Sequence, residues 1–360
     1  MATKKDPRIT ILKGLCMIMV VVDHSGCPKP LFLFDLSMLM PIFLMASGYF
    51  FKPSWFARPG EYARGKFKSL YLPYVKWSLI FLLLHNVFFY LGILNASYGN
   101  DDGVCSNAYS LAEAGRRAAD IFLRMNGHEG FLLGAFWFLR TLLVTLLVVC
   151  LGGSLLHRKV KSESACIAIL AVLAAAGGFV IAFLQRGIPY FPQGGYREAM
   201  GVFFIGCGYF FHKLDRYWQN NLAAAVALVI QVAVVSVQWT GLLPDATVAQ
   251  WAAVMATGTC GFIVMHRVSS LINLAPEKIR KAIIYAGENT FYILTFHLLM
   301  LKPVSLLKAW FYGLDWHAVG CHPYVHLVQD NWFWLLYVCT AVPLSLLVGH
   351  YVKKVKWLRI

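Results

Sequence analysis

Long apolar runs, separated by short polar or basic stretches, make up most of this chain. About 20 apolar residues wound as an α-helix cross the ~30 Å hydrocarbon layer of a membrane. Runs of that kind predict about ten helices, near 10–28, 33–51, 70–94, 131–152, 164–185, 198–212, 219–239, 246–265, 289–306 and 331–352. Backbone polar groups in hydrocarbon have to be satisfied within the segment, which favours helix over strand. The expected fold is therefore all-α: a polytopic transmembrane helical bundle of about ten spans, forming a single integral domain over 1–360. No internal repeat, low-complexity linker or soluble appendage is visible.

Composition agrees with that pattern. Hydrophobic residues make up 59% of the chain and charged residues only 14%, too little charge for the surface of a soluble domain of this size. The formal charge of +15 would suit a nucleic-acid binder only if the basic residues shared one solvated face. They sit instead at the ends of apolar runs, where Lys and Arg mark the cytoplasmic side. With both termini cytoplasmic, the inside set includes Lys4, Lys5, Arg8, Lys13, Lys52, Lys66, Lys68, Lys213, Lys353 and Arg359, about 22 of the 32 Lys and Arg, against about 8 outside. The first apolar run is followed by "CPKP" and a second apolar segment rather than a cleavage site, so it is expected to stay as a span. The nine cysteines show no CxxC or Cys/His ligand spacing, so zinc and redox-motif chemistry are not expected.

Two long segments, 95–130 and 302–330, fall outside in this orientation. The first contains "SLAEAGRRAADIFLRM", with Ser110 and Glu113 spaced as in a capping box. It is expected to form a helix lying along the membrane surface. Cys105 and Cys321 occupy these two segments, and the sequence leaves open whether they pair. Trp310, Phe311, Tyr312, Trp316, Tyr324 and Trp332 fit either the aromatic belt of a membrane interface or a surface on which sugar rings stack.

Candidate chemistry begins in "LKGLCMIMVVVDHSG", where Lys13, Asp23 and His24 interrupt the first apolar run. An ionisable group inside a span costs about 2.5–3.5 kcal/mol on insertion scales and so marks a pathway or a reaction centre by default. At ~1.5 Å per residue, Lys13 and His24 stand roughly 16 Å apart along one helix. Such a pair suits an anionic substrate that enters from the cytoplasm; the plainer reading has Asp23 and His24 simply hydrogen-bonded near the outer interface. In "GENTFYILTFHLLMLKPV", His297 lies roughly 12 Å beyond Asn289 and reaches a comparable depth. Two converging imidazoles fit general acid–base work; two unrelated packing histidines are the alternative. "PIFLMASGYFF" supplies Ser47 and Tyr49 as hydrogen-bond donors beside Gly48. "FWFLRTLL" supplies Trp137 and Arg140, the arginine either snorkelling outward or facing a polar cavity. The basic stretch "YARGKFKSLYLPY" reads as a positive-inside loop or as a cradle for phosphates.

These elements together resemble acyltransferase family 3, bacterial membrane proteins that transfer acetyl or related acyl groups to sugars, polysaccharides and other envelope molecules. The family's basic residue, ten residues, histidine motif is matched by Lys13 and His24. "FLMASGYFF", "FWFLRTLL" and "GENTFYILTFH" are similar to its later signatures, in family order, from about residue 8 to about residue 305. The family's Arg-x-x-Arg loop is represented by Lys66-Phe67-Lys68-Ser69, without the second arginine.

The resemblance implies an inner-membrane O-acyltransferase that takes acyl-coenzyme A, acetyl-CoA foremost, from the cytoplasm. Lys13, Lys66, Lys68 and Arg140 would hold the donor, and His24, His297 and Asp23 would form the catalytic set. Ser47, Tyr49, Trp137 and Asn289 would stabilise substrate, and an envelope glycan or lipid-linked sugar would accept the acyl group. His24 would act as general base or as transient acyl carrier. The competing class is a secondary transporter or flippase in which the buried histidines relay protons.

Overall fold

The computed structural model describes residues 6–98, 107–125, 131–189, 191–243 and 245–358. Lys4, Lys5, Cys105 and Arg359 lie outside them. Among the described residues every regular element is helical. In chain order they are α1 Pro7–Asp23, α2 Lys29–Leu36, α3 Leu39–Tyr49, α4 Pro59–Lys66, α5 Leu72–Tyr90, α6 Leu111–Arg124, α7 Trp137–His157 and α8 Glu163–Leu184. They continue as α9 Tyr196–Lys213, α10 Asp215–Trp218, α11 Asn221–Val237, α12 Val248–Ile272, α13 Glu277–Glu288, α14 Thr290–Met300, α15 Lys302–Phe311 and α16 Phe333–Val352. Several start where a polar side chain satisfies an orphan backbone N–H: Ser110 accepts from Glu113, Ser162 from Ala165 and Asn220 from Ala223. Thr247 and Gln250 form a full capping box.

Among the described residues, seven stretches are long and apolar enough to cross a membrane: Lys29–Tyr49, Pro59–Tyr90, Leu132–His157, Glu163–Leu184, Val248–Ile272, Thr290–Phe311 and Phe333–Val352. The expected spans near 10–28, 198–212 and 219–239 are not among them. α1 and α11 reach only 17 residues, and α9, with 18, carries Arg197, Glu198 and Lys213. The basic stretch expected as a loop is helical throughout. α4 passes through one π-helical turn, Phe67–Tyr71, into α5, with Pro73 in the first turn of α5, where a missing N–H costs least.

The chain divides into two compact units: Met1–Cys16, Leu33–Lys68 and Thr141–Gly287 in the first, and Met17–Phe32, Ser69–Arg140 and Glu288–Ile360 in the second. Lipid tails are as apolar as Leu, so helices in a membrane associate through close packing and hydrogen bonds rather than through the hydrophobic effect. The first unit shows this directly. A Cβ on Gly48 of α3 would lie 2.0 Å from the carbonyl oxygen of Ile205 in α9, and one on Gly208 would lie 2.0 Å from that of Met45. The two backbones touch. α1 and α13 approach in the same way, with Gly287 against the carbonyl of Thr10. Gln231 of α11 donates to Ser37 Oγ at 2.7 Å, and Thr257 of α12 to the Ser37 carbonyl at 3.0 Å.

In the second unit, α14 packs against α16, where Gly349 leaves room for the Tyr292 ring. Trp77 of α5 meets Phe296 edge-on, with 5.0 Å between ring centroids. α6 departs from the expected surface position. Its start is tied to the end of α5 by reciprocal bonds between the Asn86 side chain and the Tyr109 backbone, at 2.7 and 2.9 Å. Near its end the Phe122 carbonyl accepts from Tyr71 Oη at 2.8 Å. The helix therefore runs antiparallel along α5, because side chains at both ends of that span hold it.

Candidate active site

His24 follows the last residue of α1, and its Nδ1 lies 2.7 Å from the carbonyl oxygen of Val20. His297, fully buried in α14, places its Nδ1 2.9 Å from the Ile293 carbonyl and 3.0 Å from that of Leu294. A carbonyl only accepts, so in each neutral imidazole Nδ1 carries the hydrogen and Nε2 keeps the lone pair. The two rings meet edge to face with centroids 5.1 Å apart. His297 Nε2 is buried without a hydrogen-bond partner. The second unit thus holds two adjacent imidazoles, each with its tautomer set by the helix that carries it. Asp23 is half-buried beside His24, but the orienting bond at Nδ1 goes to the main chain, not to its carboxylate.

In the same unit the segment after α15, which includes a 3-10 helix at Trp316–Gly320, is fixed by buried charge. Lys302 donates to the carbonyls of Val319, at 2.9 Å, and Cys321, at 2.7 Å. Lys308 pairs with Asp330 at 2.5 Å. Burial opposes ionisation of Asp330, but the bond from Lys308 outweighs it and holds the carboxyl below its usual range. Cys321 is buried.

The first unit contains a cavity of about 270 Å³ lined by Lys13, Lys52, Lys66, Ser47, Trp55 and Tyr62, among others. Lys66 Nζ stands 5.2 Å from the centroid of the Tyr62 ring, and Ser47 Oγ donates to the Phe43 carbonyl at 3.0 Å. Three ammonium groups with indole and phenol faces make a site for an anionic, flat-ringed ligand. Coenzyme A, with its phosphates and adenine, has that chemistry. Lys13 and Lys66 are thus brought together; Lys68 is exposed and outside the cavity. Lys52 lines the cavity too, and its position directly after "SGYFF" was the available signal.

The remaining candidates separate. Tyr49 Oη donates to Asp6 Oδ2 at 3.2 Å, its ring lies 4.4 Å from that of His212, and Arg8 joins Asp6, at 2.7 Å, to Asp215, at 3.2 Å. Burial opposes ionisation of Asp6, and the Arg8 guanidinium overcomes it, holding the carboxyl below its usual range. Tyr49 therefore serves an ion network at the start of α1. Arg140 is 3% exposed, so it does not snorkel outward. Trp137 is half-buried. Asn289, at the start of α14, accepts from Lys353 Nζ. Lys302, the first residue of α15, and His322, in the segment that follows α15, were not singled out as site residues. Among the described residues no group of three His, Cys, Asp or Glu side chains is arranged to hold a metal ion.

The model of the acyltransferase domain of acyltransferase family 3 matches residues 6–350. No curated protein and no solved structure matches the chain. The matched stretch takes in both units, the histidine pair and the basic cavity, and the chain belongs to acyltransferase family 3.

Proposed function

We propose that this acyltransferase moves an acyl group, acetyl in the simplest case, from cytoplasmic acyl-coenzyme A to a hydroxyl of a cell-envelope sugar, polysaccharide or glycolipid. It would work in the inner membrane of a bacterium with both termini in the cytoplasm. The observation that carries the reading is the His24–His297 pair, in which each ring spends Nδ1–H on a main-chain carbonyl and keeps Nε2 for a proton. His24 acts as general base. It takes the proton of the attacking hydroxyl and returns it to the departing thiol sulfur, while His297 serves as a second proton acceptor beside it. The lysines of the first-unit cavity hold the donor's phosphates as point charges.

The test is release of free coenzyme A thiol from acetyl-CoA by the purified protein, with His24→Ala as control. A fall in kcat of about 10²–10⁴-fold is expected. Equal turnover in the variant would remove His24 from the chemistry. Acyl label retained on the wild-type protein without acceptor would make His24 an acyl carrier instead. Absence of turnover alongside proton-driven uptake into vesicles would favour transport.

A further inference from the structure

The first unit contains a cluster of charge that acyl transfer leaves unused. The Arg8 guanidinium sits between two carboxylates. Its Nη2 is 2.7 Å from Asp6 Oδ2 and 3.2 Å from Asp215 Oδ2, and its Nε donates to the two oxygens of Asp6 at 3.1 and 3.2 Å. None of the three side chains is more than 23% exposed. Around them stand Tyr49 of α3, which donates to Asp6 at 3.2 Å, and His212 of α9, whose ring lies 4.4 Å from that of Tyr49. His266 of α12 places its Nε2 3.7 Å from Asp215 Oδ1. Imidazoles apart, the cluster carries one negative charge with Arg8 and two without it.

The cluster and the basic cavity share two chain segments. Tyr49 is followed directly by Phe50, Phe51 and Lys52, which line the cavity, as does Ser47 before it. α1 supplies Arg8 to the cluster and Lys13 to the cavity. The Asp6 carbonyl accepts from Thr10 N–H at 3.2 Å, so Asp6 keeps the helical register of α1. Asp6 and Lys13 therefore stand about two turns, or ~10 Å, apart on one face of that helix. We propose that Arg8 is a positioning residue for the acyl donor and acts through Asp6 and Asp215: by holding both carboxylates it keeps their charge from opposing the donor's phosphates in the cavity. The proposal rests on the donor-binding reading above.

A separation of ~10 Å is about one Debye length at physiological salt, and partly buried charges are screened less than exposed ones. Without the guanidinium, two like charges would stand side by side at the start of the helix that carries Lys13, and their field would subtract from that of the three lysines. Packing is not what Arg8 supplies. α1 is already seated on α13, where Gly14 lies so close to the Ile283 carbonyl that a Cβ has no room, and Gly287 approaches the Thr10 carbonyl in the same way. What Arg8 adds to that seat is charge balance.

The experiment measures Kd for radiolabelled acetyl-CoA by equilibrium dialysis, together with kcat of coenzyme A release and the thermal transition, on the full-length protein in detergent. Arg8→Met should raise Kd by about tenfold, the size expected of one unit charge about a Debye length away, and leave kcat within about threefold. Arg8→Lys keeps the charge and should stay within about threefold of wild-type Kd. Adding Asp215→Asn to Arg8→Met returns the cluster to one negative charge while the bridge from α1 to α10 stays broken, and most of the lost affinity should return. A double variant as weak as Arg8→Met overturns the proposal, because the bridge and not its charge would then be the cause. Wild-type Kd in Arg8→Met overturns it too. Should Arg8→Met lose its thermal transition, Asp215→Asn alone makes the comparison from the other side: with Arg8 in place and one carboxylate fewer, Kd should fall by about threefold, and an unchanged Kd overturns the proposal. A wild-type protein that does not bind acetyl-CoA overturns the donor reading itself. A wild type that binds, with Arg8→Met equal to it, overturns only the role of Arg8.

Discussion

The two units hold their functional groups in opposite ways. In the first, Lys13, Lys52 and Lys66 reach a cavity on long flexible stems, alongside Trp55 and Tyr62. In the second, His24 and His297 are short rings pinned to carbonyls of their own chain segments, one ring against the other. An ammonium is a point charge whose attraction to phosphate changes slowly with position, so a flexible stem is tolerable. Proton transfer requires the right atom, in the right tautomer, within hydrogen-bond reach. On the proposed function, binding and chemistry call for different rigidity, and each unit would supply one kind.

The sharpest way to break that contrast is in the second unit. His297→Ala should lower kcat by about 10²-fold or more with KM little changed, and adding His24→Ala should cost little beyond the worse single change, because the rings act as one device. Additive losses in a kinetic double-mutant cycle would show two independent histidines. A smaller effect is expected in the first unit. Lys13→Met and Lys66→Met should each raise KM for acyl-CoA by about tenfold while kcat stays within about threefold, and the wild-type KM should rise with salt as exposed charges are screened. A kcat loss as large as that of the histidine variants would overturn the division of labour.

The smallest effect concerns stability, where the units should behave alike. Each contains a carboxyl held below its usual range by a cation, Asp6 beside Arg8 and Asp330 beside Lys308. A carboxyl with a depressed folded-state pKa stabilises the fold above its unfolded value near 3.8, and that contribution is lost as pH falls through the folded value. The thermal midpoint should therefore drop by a few degrees on acidification below about pH 4. Asp330→Asn and Asp6→Asn should each flatten part of that acid slope.

His24 and His297 were legible in the sequence because an imidazole in an apolar run is conspicuous and helical rise fixes its depth. Lys13 and Lys66 were legible because basic residues at span ends are few and ordered. Lys68 falls within a π turn at 67–71 that no periodicity announces, and it lies outside the cavity that Lys52 lines. α6 was expected on the membrane surface because its capping and charge are local signals. The bond from Tyr71 to Phe122 that sets its course joins residues far apart in the chain. Ten apolar runs were counted and seven described stretches are long and apolar enough to cross a membrane, because a run can continue through residues such as those at either end of α1 that the helix itself does not include.

The use of backbone carbonyls to orient both imidazoles has one more consequence. A carboxylate partner would supply a compensating negative charge when the ring picks up a proton; an amide oxygen supplies only a dipole. On the proposed mechanism, an imidazolium formed during turnover would face only a main-chain carbonyl at Nδ1, and its energy would fall when the proton moves on. In the reaction proposed above, such a centre would be a poor resting store of acid and would discharge onto the leaving sulfur within the same catalytic cycle.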